Sequence, residues 1–284
     1  MTERHRIEIQ TTPQNPVQYL ACCGVFEIVA RFDTTAMAHW TSNASPGFVI
    51  TGQINEADAL QSVANGITDW DCWRTVAFSD ETVCLDVSFT LNGEVRTVSL
   101  DWWYEYLNRD GRIKEKSAWK MYAGQQTAEG ITKDMSSVAA RLLMSAQLST
   151  LSELIGLNCG MTGRFGFDPR SSRNALDAGY SPNDLKLAIA TYPFAEVLAV
   201  IGAHHFFPHR TRQSAGIEST RGWIEKTAFR YGLWAATLPI ALARAAASCA
   251  PVHDESKLVP MQSERGSRDK YSNLTMATPT TLTR

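Results

Sequence analysis

The feature that most constrains the fold of this chain is the dipeptide Asn92-Gly93, which lies between two segments of alternating apolar and polar residues. Both residues tolerate positive φ, so the pair favours the two-residue turn of a β-hairpin. The segment from Thr82 to Thr90 alternates before the turn, and Val95 to Leu100 returns after it. One face of the first strand would carry Val83, Leu85, Val87 and Phe89. The sequence therefore predicts an antiparallel hairpin here.

A second constraint lies near the N-terminus, where Asn15-Pro16 has the residues of a helix start. Asparagine caps helices, and proline suits the first helical position because its missing N–H would have no partner there. Apolar or small residues then follow at helical spacing: Val17, Leu20, Ala21, Gly24, Val25, Ile28 and Val29. The small Ala21 and Gly24 predict close packing of this helix on a sheet.

Periodicity and turn residues predict an α+β fold with a mixed β-sheet and helices packed on one face. Strands are predicted at Arg6–Gln10, Phe48–Thr51, Gly163–Phe167, Ser214–Thr220 and Trp223–Leu233. Helices are predicted at Glu56–Val63, Ile131–Thr150, Phe194–Ile201 (ending at Gly202) and Ile240–Ser248. We expect one domain over residues 1–250, with a possible subdivision near 150–160, and a polar, poorly packed tail over 251–284.

Composition excludes several classes of protein. The 284 residues carry a net charge of −2, with 44% hydrophobic and 20% charged residues, which is typical of a soluble globular protein. No apolar run approaches the roughly 20 residues of a membrane helix, and the polar N-terminus lacks a signal-peptide core, so we expect a cytoplasmic protein without membrane partners. The six cysteines form no CxxC pair, which argues against cysteine-bound zinc and a disulfide framework. Near-neutral charge argues against a general nucleic-acid coat protein but allows local basic patches.

The least ordinary stretch runs from Cys159 to Pro182, CGMTGRFGFDPRSSRNALDAGYSP. Glycines dominate its start, and Asp168-Pro169 stops any regular element because proline lacks an N–H. Its arginines are Arg164, Arg170 and Arg173. One interpretation is an ordinary surface loop with solvated charges. The other is a loop that binds phosphate with guanidinium groups, although Arg164 lies in a predicted strand and could be structural.

Basic and aromatic residues are also interleaved between Trp119 and Gln126. Lys120 offers a charge for a phosphate, and Gln125 and Gln126 offer amide donors and acceptors. Further along, Arg210 and Arg212 begin another basic segment. These residues are candidate nucleic-acid contacts, and the alternative for Trp119–Gln126 is a solvated loop whose aromatic rings fill the core.

Three histidines, His204, His205 and His209, invite a metal interpretation. Adjacent residues on a strand point to opposite faces, however, and no acidic residue lies close in sequence, so we expect a strand end with partly buried histidines and no metal.

There is no P-loop, GxSxG or HExxH motif, and no pair of carboxylates is marked as an acid and base. No catalytic residue or cofactor is predicted, and the chain is expected to bind and not to catalyse.

Several stretches together resemble the small Csb-type subunits of type I-U (also called I-G) CRISPR effector modules. They are Asn15–Gly24 with Glu27, Lys120–Gln126, Arg164–Ser171 continuing through Ala175–Pro182, Tyr192–Gly202, and Tyr231–Trp234. The resemblance covers most of the chain up to about Ala250.

The resemblance implies a non-catalytic subunit of an RNA-guided, Cascade-like surveillance complex in antiviral defence. Its partners would be the CRISPR guide RNA, the target DNA and neighbouring Cas subunits. Many subunits of such complexes have ferredoxin-like (RAMP-like) cores with insertions, and the predicted order of elements is compatible with that. Two alternatives remain open: a scaffold that contacts only proteins, and a nucleic-acid-processing enzyme that uses His204, His205 or His209 as a general base.

Overall fold

The computed structural model describes residues 3–41, 46–79, 82–100, 106–107, 113–115, 127–161, 163–171, 188–206, 211–212, 218–219, 228–249, 258–268 and 271–281. It is an α+β structure of sheets and helices, as predicted. The predicted mixed β-sheet is wrong for the described residues, because their strand pairings are all antiparallel. The helices are α1 Pro16–Phe32, α2 Glu56–Thr68, α3 Ala128–Ser145, α4 Leu151–Gly156, α5 Pro193–His205 and α6 Ile240–Ala247. The first strands are β1 His5–Gln10, β2 Met37–Trp40, β3 Gly47–Gly52, β4 Trp73–Ser79, β5 Thr82–Leu91, β6 Glu94–Leu100, β7 Tyr106–Leu107 and β8 Ile113–Glu115. The later strands are β9 Cys159–Met161, β10 Ile189–Thr191, β11 Thr211–Arg212, β12 Glu218–Ser219, β13 Ala228–Trp234, β14 Leu238–Pro239, β15 Leu258–Arg268, β16 Tyr271–Leu274 and β17 Thr278–Pro279.

The N-terminal strands form a four-stranded sheet in the order β1-β3-β2-β14. In this sheet β3 lies between β1 and β2 and is antiparallel to both, with Ile50 opposite Ile7 on one side and Ala38 on the other. Consequently β1 and β2 point the same way, and α1 connects them. The predicted strands at Arg6–Gln10 and Phe48–Thr51 are confirmed with slightly wider bounds.

The predicted hairpin is confirmed. Strands β5 and β6 pair from Leu85 opposite Leu100 to Leu91 opposite Glu94. The turn residues Asn92 and Gly93 have φ of 49° and 81°, as the two-residue turn requires. On the other side β4 pairs with β5, and Gly66 of α2 lies against the Phe89 ring, where an added Cβ would be 2.4 Å from Cδ1.

The prediction of a poorly packed tail is wrong for the described residues beyond position 250. Strand β15 pairs with the whole of β13, from Trp234 opposite Leu258 to Ala228 opposite Glu264. Met261, Leu274 and Ala277 are buried in the core. The segment packs because a few apolar side chains at the right register are enough to bury a strand that is polar on average.

The centre of the fold is the pair of helices α1 and α5. All residues of α5 from Pro193 to Ala203 are buried, which is typical of a helix enclosed on every side. Where the two helices cross, a Cβ on Gly24 would lie 2.2 Å from the Leu198 carbonyl oxygen, and one on Gly202 would lie 1.9 Å from the Leu20 carbonyl oxygen. The small residues of α1 therefore permit close packing as predicted, but on a helix and not on a sheet. Gly202 lies inside α5 and does not end it.

Two other predicted elements are wrong in their bounds. Gly163–Phe167 is not a strand, because Gly166 has a φ of 90° and turns Phe165 and Phe167 into the core. The strand of this region is β9, which pairs with β10. The helix predicted to Thr150 ends at Ser145, since Thr150 and Glu153 form a capping box that starts α4.

None of the helices in the described part of the chain combines the length and the apolar character that a membrane crossing requires.

Candidate functional site

The first group of charged residues lies at the N-terminal ends of α1 and α5. Asn15 caps α1: its Oδ1 accepts from the Val17 N–H at 3.1 Å, and its Nδ2 donates to Asp168 Oδ1 at 3.1 Å. The Asp168 side chain has no exposed area. It also accepts hydrogen bonds from Arg170, from the backbone N–H at 2.9 Å and from Nη2 at 2.7 Å. The N-cap of α1 is thus fixed by a buried carboxylate from a distant part of the chain.

Arg170 extends this arrangement to α5. Its guanidinium carbon lies 3.5 Å from the centre of the Tyr192 ring, and Tyr192 is the residue that precedes the first turn of α5. Such stacking adds a cation–π attraction to the ion pair. Because Nε and Nη2 are bonded to Asp168, one edge of the guanidinium is used inside the protein, although 33% of the side chain remains exposed.

Glu196, in the first turn of α5, completes the group and is fully buried. Burial raises the pKa of its carboxyl, and the negative charge of Asp168 adds to that rise. The positive charge of Arg164 and hydrogen bonds from the backbone N–H groups of Asp168 and Phe165 oppose it, and the resulting pKa is about 8. The raised pKa favours the protonated carboxyl near neutral pH. We call Asn15, Arg164, Asp168, Arg170, Tyr192 and Glu196 the Asp168 cluster.

The second group lies at the C-terminal ends of three helices and surrounds Glu27 of α1, whose side chain is 1% exposed. Arg31 Nε donates to Glu27 Oε1 at 2.8 Å, and Arg244 of α6 donates through Nη2 to Glu27 Oε2. His205 of α5 places Nδ1 3.6 Å from Glu27 Oε1. We call Glu27, Arg31, His205 and Arg244 the Glu27 cluster.

His204 and His205 are in the last turn of α5 and not at a strand end, so this prediction is wrong. The apolar helix simply continues past Gly202, because that glycine is needed for the contact with α1. Burial and, to a smaller extent, the charges of Arg31 and Arg244 together lower the pKa of His205 to about 3. Across the described ranges, no three His, Cys, Asp or Glu side chains are grouped so as to hold a metal ion. His209 lies outside the described residues.

The structure describes only part of the predicted nucleic-acid contacts. Arg164 and Arg170 meet in the Asp168 cluster, where Nη1 of Arg164 is inaccessible to solvent. This burial favours the structural role that the sequence left open for Arg164. Arg212 lies opposite Glu218 in the pairing of β11 with β12. The remaining candidates, Lys120, Gln125, Gln126, Arg173 and Arg210, lie outside the described residues, and their role stays a prediction.

Sequence reasoning missed both clusters as units. It found no paired carboxylates, whereas the structure brings Asp168 and Glu196 together beside Arg164. The hydrogen bond between Asn15 and Asp168 joins positions 153 residues apart, and the bond from Arg244 to Glu27 spans 217. No local signal in the sequence pairs residues at such separations. The one available hint was an acidic residue inside each of two otherwise apolar helices, Glu27 and Glu196.

The described parts of the segments that carried the sequence resemblance are adjacent in space. Asn15, Arg170 and Tyr192 come from three of these segments and meet in the Asp168 cluster. Tyr19 connects the first segment to the last: its hydroxyl donates to the Gly232 carbonyl at 3.1 Å, and its ring lies 4.1 Å from that of Tyr231. Comparison with protein-family models, curated proteins and solved structures finds no significant match to this chain.

Proposed function

We propose that this protein is a non-catalytic subunit of a type I CRISPR surveillance complex, in which it contacts the backbone of the guide RNA or target DNA and neighbouring Cas subunits. The observation that carries the proposal is that the described parts of the resembling segments meet around α1. Segments separated by more than a hundred residues contact one another through Asn15, Arg170, Tyr192 and Tyr19. If these residues resemble those of the family because they build a common fold, we expect them to pack against one another in this way.

The arrangement of the first elements supports the ferredoxin-like core that the resemblance implies. Strand β1, helix α1 and the paired strands β2 and β3 follow one another along the chain, and β3 lies between β1 and β2 in the sheet. This order matches the split βαβ unit of the ferredoxin-like fold. The fourth strand departs from the ferredoxin-like order, because β14 lies beside β2 and not beside β1. The arrangement of β1, β3 and β2 therefore supports a ferredoxin-like core, and the position of β14 would be a modification of that core.

Burial supports a non-catalytic role. Asp168 and Glu196 form a carboxyl pair with a raised pKa, which is a common feature of active sites. Both side chains are nevertheless fully buried, so a polymeric substrate has no access to them. The pKa of His205 is lowered to about 3, which makes its imidazole a weak general base.

Copurification tests the proposal. The tagged chain is expressed with the other subunits of its effector module and a CRISPR array, and the same strain without the array is the control. We expect a stable complex that contains a short guide RNA, and we expect this RNA to crosslink to this chain. A solitary, RNA-free protein in both strains would contradict the proposal, and a complex whose RNA never crosslinks to this chain would favour the protein-only scaffold.

A cleavage assay tests the non-catalytic part separately. The purified protein is incubated with single- and double-stranded RNA and DNA in the presence of Mg²⁺, Mn²⁺ or Zn²⁺, and we expect no cleavage. Cleavage that disappears in His204→Ala or His209→Ala would instead identify a nuclease that uses the histidines.

A further inference from the structure

We propose that Arg31 and Arg244, held on the two oxygens of the Glu27 carboxylate, form a binding site for a phosphate group. The two guanidinium groups approach from different helices: Nε of Arg31 bonds to Oε1, and Nη2 of Arg244 bonds to Oε2. Because both contact one carboxylate, they are fixed as neighbours at the surface end of the α1–α5 pair. The site uses none of the residues that the sequence suggested for nucleic-acid contact.

The charges of this cluster do not balance. Glu27 supplies one negative charge, and the two arginines supply two positive charges. His205 adds no negative charge, and its lowered pKa keeps the ring neutral at physiological pH. In the described part of the chain, no second carboxylate forms a salt bridge with Arg31 or Arg244. One positive charge is therefore left over beside a buried anion.

Donor atoms are also left over. Nε of Arg244 is buried and has no hydrogen-bond partner among the described residues. Arg31 uses Nε in its bond to Glu27, so its two terminal nitrogens are not used in that bond. These terminal nitrogens can donate to an oxyanion that approaches from solvent.

Access and shape point to phosphate. The side chains of Arg31 and Arg244 are 40% and 38% exposed, so an anion can reach them from solvent while Glu27 stays covered. Planar guanidinium forks match the oxygen geometry of phosphate and form charge-assisted hydrogen bonds with it. The phosphate could belong to a nucleic-acid backbone or be free in solution, and the experiment below separates these sources.

A purely structural explanation competes with this proposal. Arg31, His205 and Arg244 each lie in the last turn of a helix, where the helix dipole stabilises positive charge. If the dipoles alone account for the surplus charge, no anion is needed. The two explanations predict different results for one measurement. A phosphate site requires saturable binding of phosphate at constant ionic strength, whereas the dipole explanation does not.

The test compares wild-type protein with Arg31→Gln, using inorganic phosphate as the probe in isothermal titration and thermal-shift measurements. The matched control is Arg96→Gln, because Arg96 is 49% exposed and, among the described residues, forms its salt bridge with Glu94. We expect saturable binding in the wild type and in the control, and a dissociation constant raised about tenfold or more in Arg31→Gln. No saturable binding, or equal affinity in all three proteins, would overturn the proposal.

A second arm uses fluorescently labelled single-stranded RNA, with anisotropy measured at several salt concentrations. If the site takes a backbone phosphate, Arg31→Gln should weaken RNA binding and reduce the salt slope by about 1. If only inorganic phosphate is affected, the site takes a free phosphate. Should Arg31→Gln fail to fold, Arg31→Lys keeps the charge, loses the fork and should still weaken phosphate binding several-fold. Copurification of the wild type with guide RNA reports on all contacts of the chain, so a complex that forms although phosphate binding fails here would leave the proposed function standing.

Discussion

The two ends of the α1–α5 helix pair carry different charge clusters. At the N-terminal ends, the Asp168 cluster combines the carboxyl groups of Asp168 and Glu196 with the guanidinium groups of Arg164 and Arg170. At the C-terminal ends, the Glu27 cluster holds two arginines and a histidine around one carboxylate. The helix dipole favours the basic residues at the C-terminal ends, whereas at the N-terminal ends it favours only the carboxyl groups.

The clusters also differ in how their arginines are shared. In the Asp168 cluster, Asp168 receives hydrogen bonds from Asn15 and Arg170, and the charge of Arg164 acts on Glu196, so two arginines meet two carboxyl groups. In the Glu27 cluster, two arginines share the single carboxylate of Glu27 and both reach solvent. We therefore expect the first arrangement to stabilise the fold and the second to bind an anion. The predictions below test this difference.

Replacing Asp168 by alanine should give the largest effect. It would leave Arg170 and the Asn15 amide without their buried partner, and breaking a buried pair typically costs about 3–5 kcal/mol of unfolding free energy. Chemical denaturation measures this. The control is Glu8→Ala, because Glu8 pairs with Arg6 at 3.1 Å on the surface and should cost less than about 1 kcal/mol. Equal losses in the two variants would contradict a stabilising role for the Asp168 cluster.

Separating the helices should disturb both clusters at once. In Gly202→Ala the new Cβ would lie 1.9 Å from the Leu20 carbonyl oxygen, so α1 and α5 must move apart. Overpacking of this kind costs about 1–3 kcal/mol, which thermal and chemical denaturation would detect. Gly156→Ala is the matched control, since nothing lies within 4 Å of its added Cβ. If Gly202→Ala were as stable as the wild type, the close approach of α1 and α5 would not be needed for stability.

The Asp168 cluster should lose stability as the pH rises. The folded pKa of Glu196 is about 8, above its ordinary value of 4.5, so folding favours the protonated form. The stabilisation is complete below about pH 4.5 and falls up to about pH 8, by at most about 1.4 kcal/mol per pH unit. Unfolding free energies of the wild type and Glu196→Gln, measured from pH 4 to 9, should converge at low pH. Parallel pH profiles would contradict a buried neutral carboxyl.

The Glu27 cluster should show the opposite dependence. The folded pKa of His205 is about 3, below its ordinary value of 6.5, so folding favours the neutral ring. Its contribution is complete above about pH 6.5 and is lost as the pH falls toward 3. His205→Gln should therefore lose less stability than the wild type on acidification, in denaturation measured between pH 7 and 3.5. If the unfolding free energy of His205→Gln changed with pH in parallel with that of the wild type, folding would not lower the pKa of His205.

Local residue chemistry was enough to predict several elements. Asn15-Pro16 starts α1, and Asn92-Gly93 forms the hairpin turn between β5 and β6. These predictions depend on preferences of adjacent residues, which act in any context. Bounds were less predictable: α5 continues through Gly202, since packing against α1 outweighs the low helix propensity of glycine.

The candidate sites show the limit of local reasoning. Arg164 and Arg170 were predicted to contact phosphate because of their type and their glycine-rich surroundings. In the structure, Nη1 of Arg164 is buried and Arg170 is paired with Asp168. Whether an arginine faces a ligand or a buried carboxylate depends on the partner that the fold brings to it, which the sequence around the arginine does not contain.

The sequence by itself determined where α1 begins, where the hairpin turns and that the chain combines helices with strands, because each depends on neighbouring residues. Only the tertiary structure decided the charge clusters. Asp168 reaches Asn15 from 153 residues away, and Arg244 reaches Glu27 from 217 residues away. Burial then set the protonation of Glu196 and His205, raising one pKa and lowering the other. Electrostatic energies depend on distance and on exclusion of water, and both are properties of the folded chain.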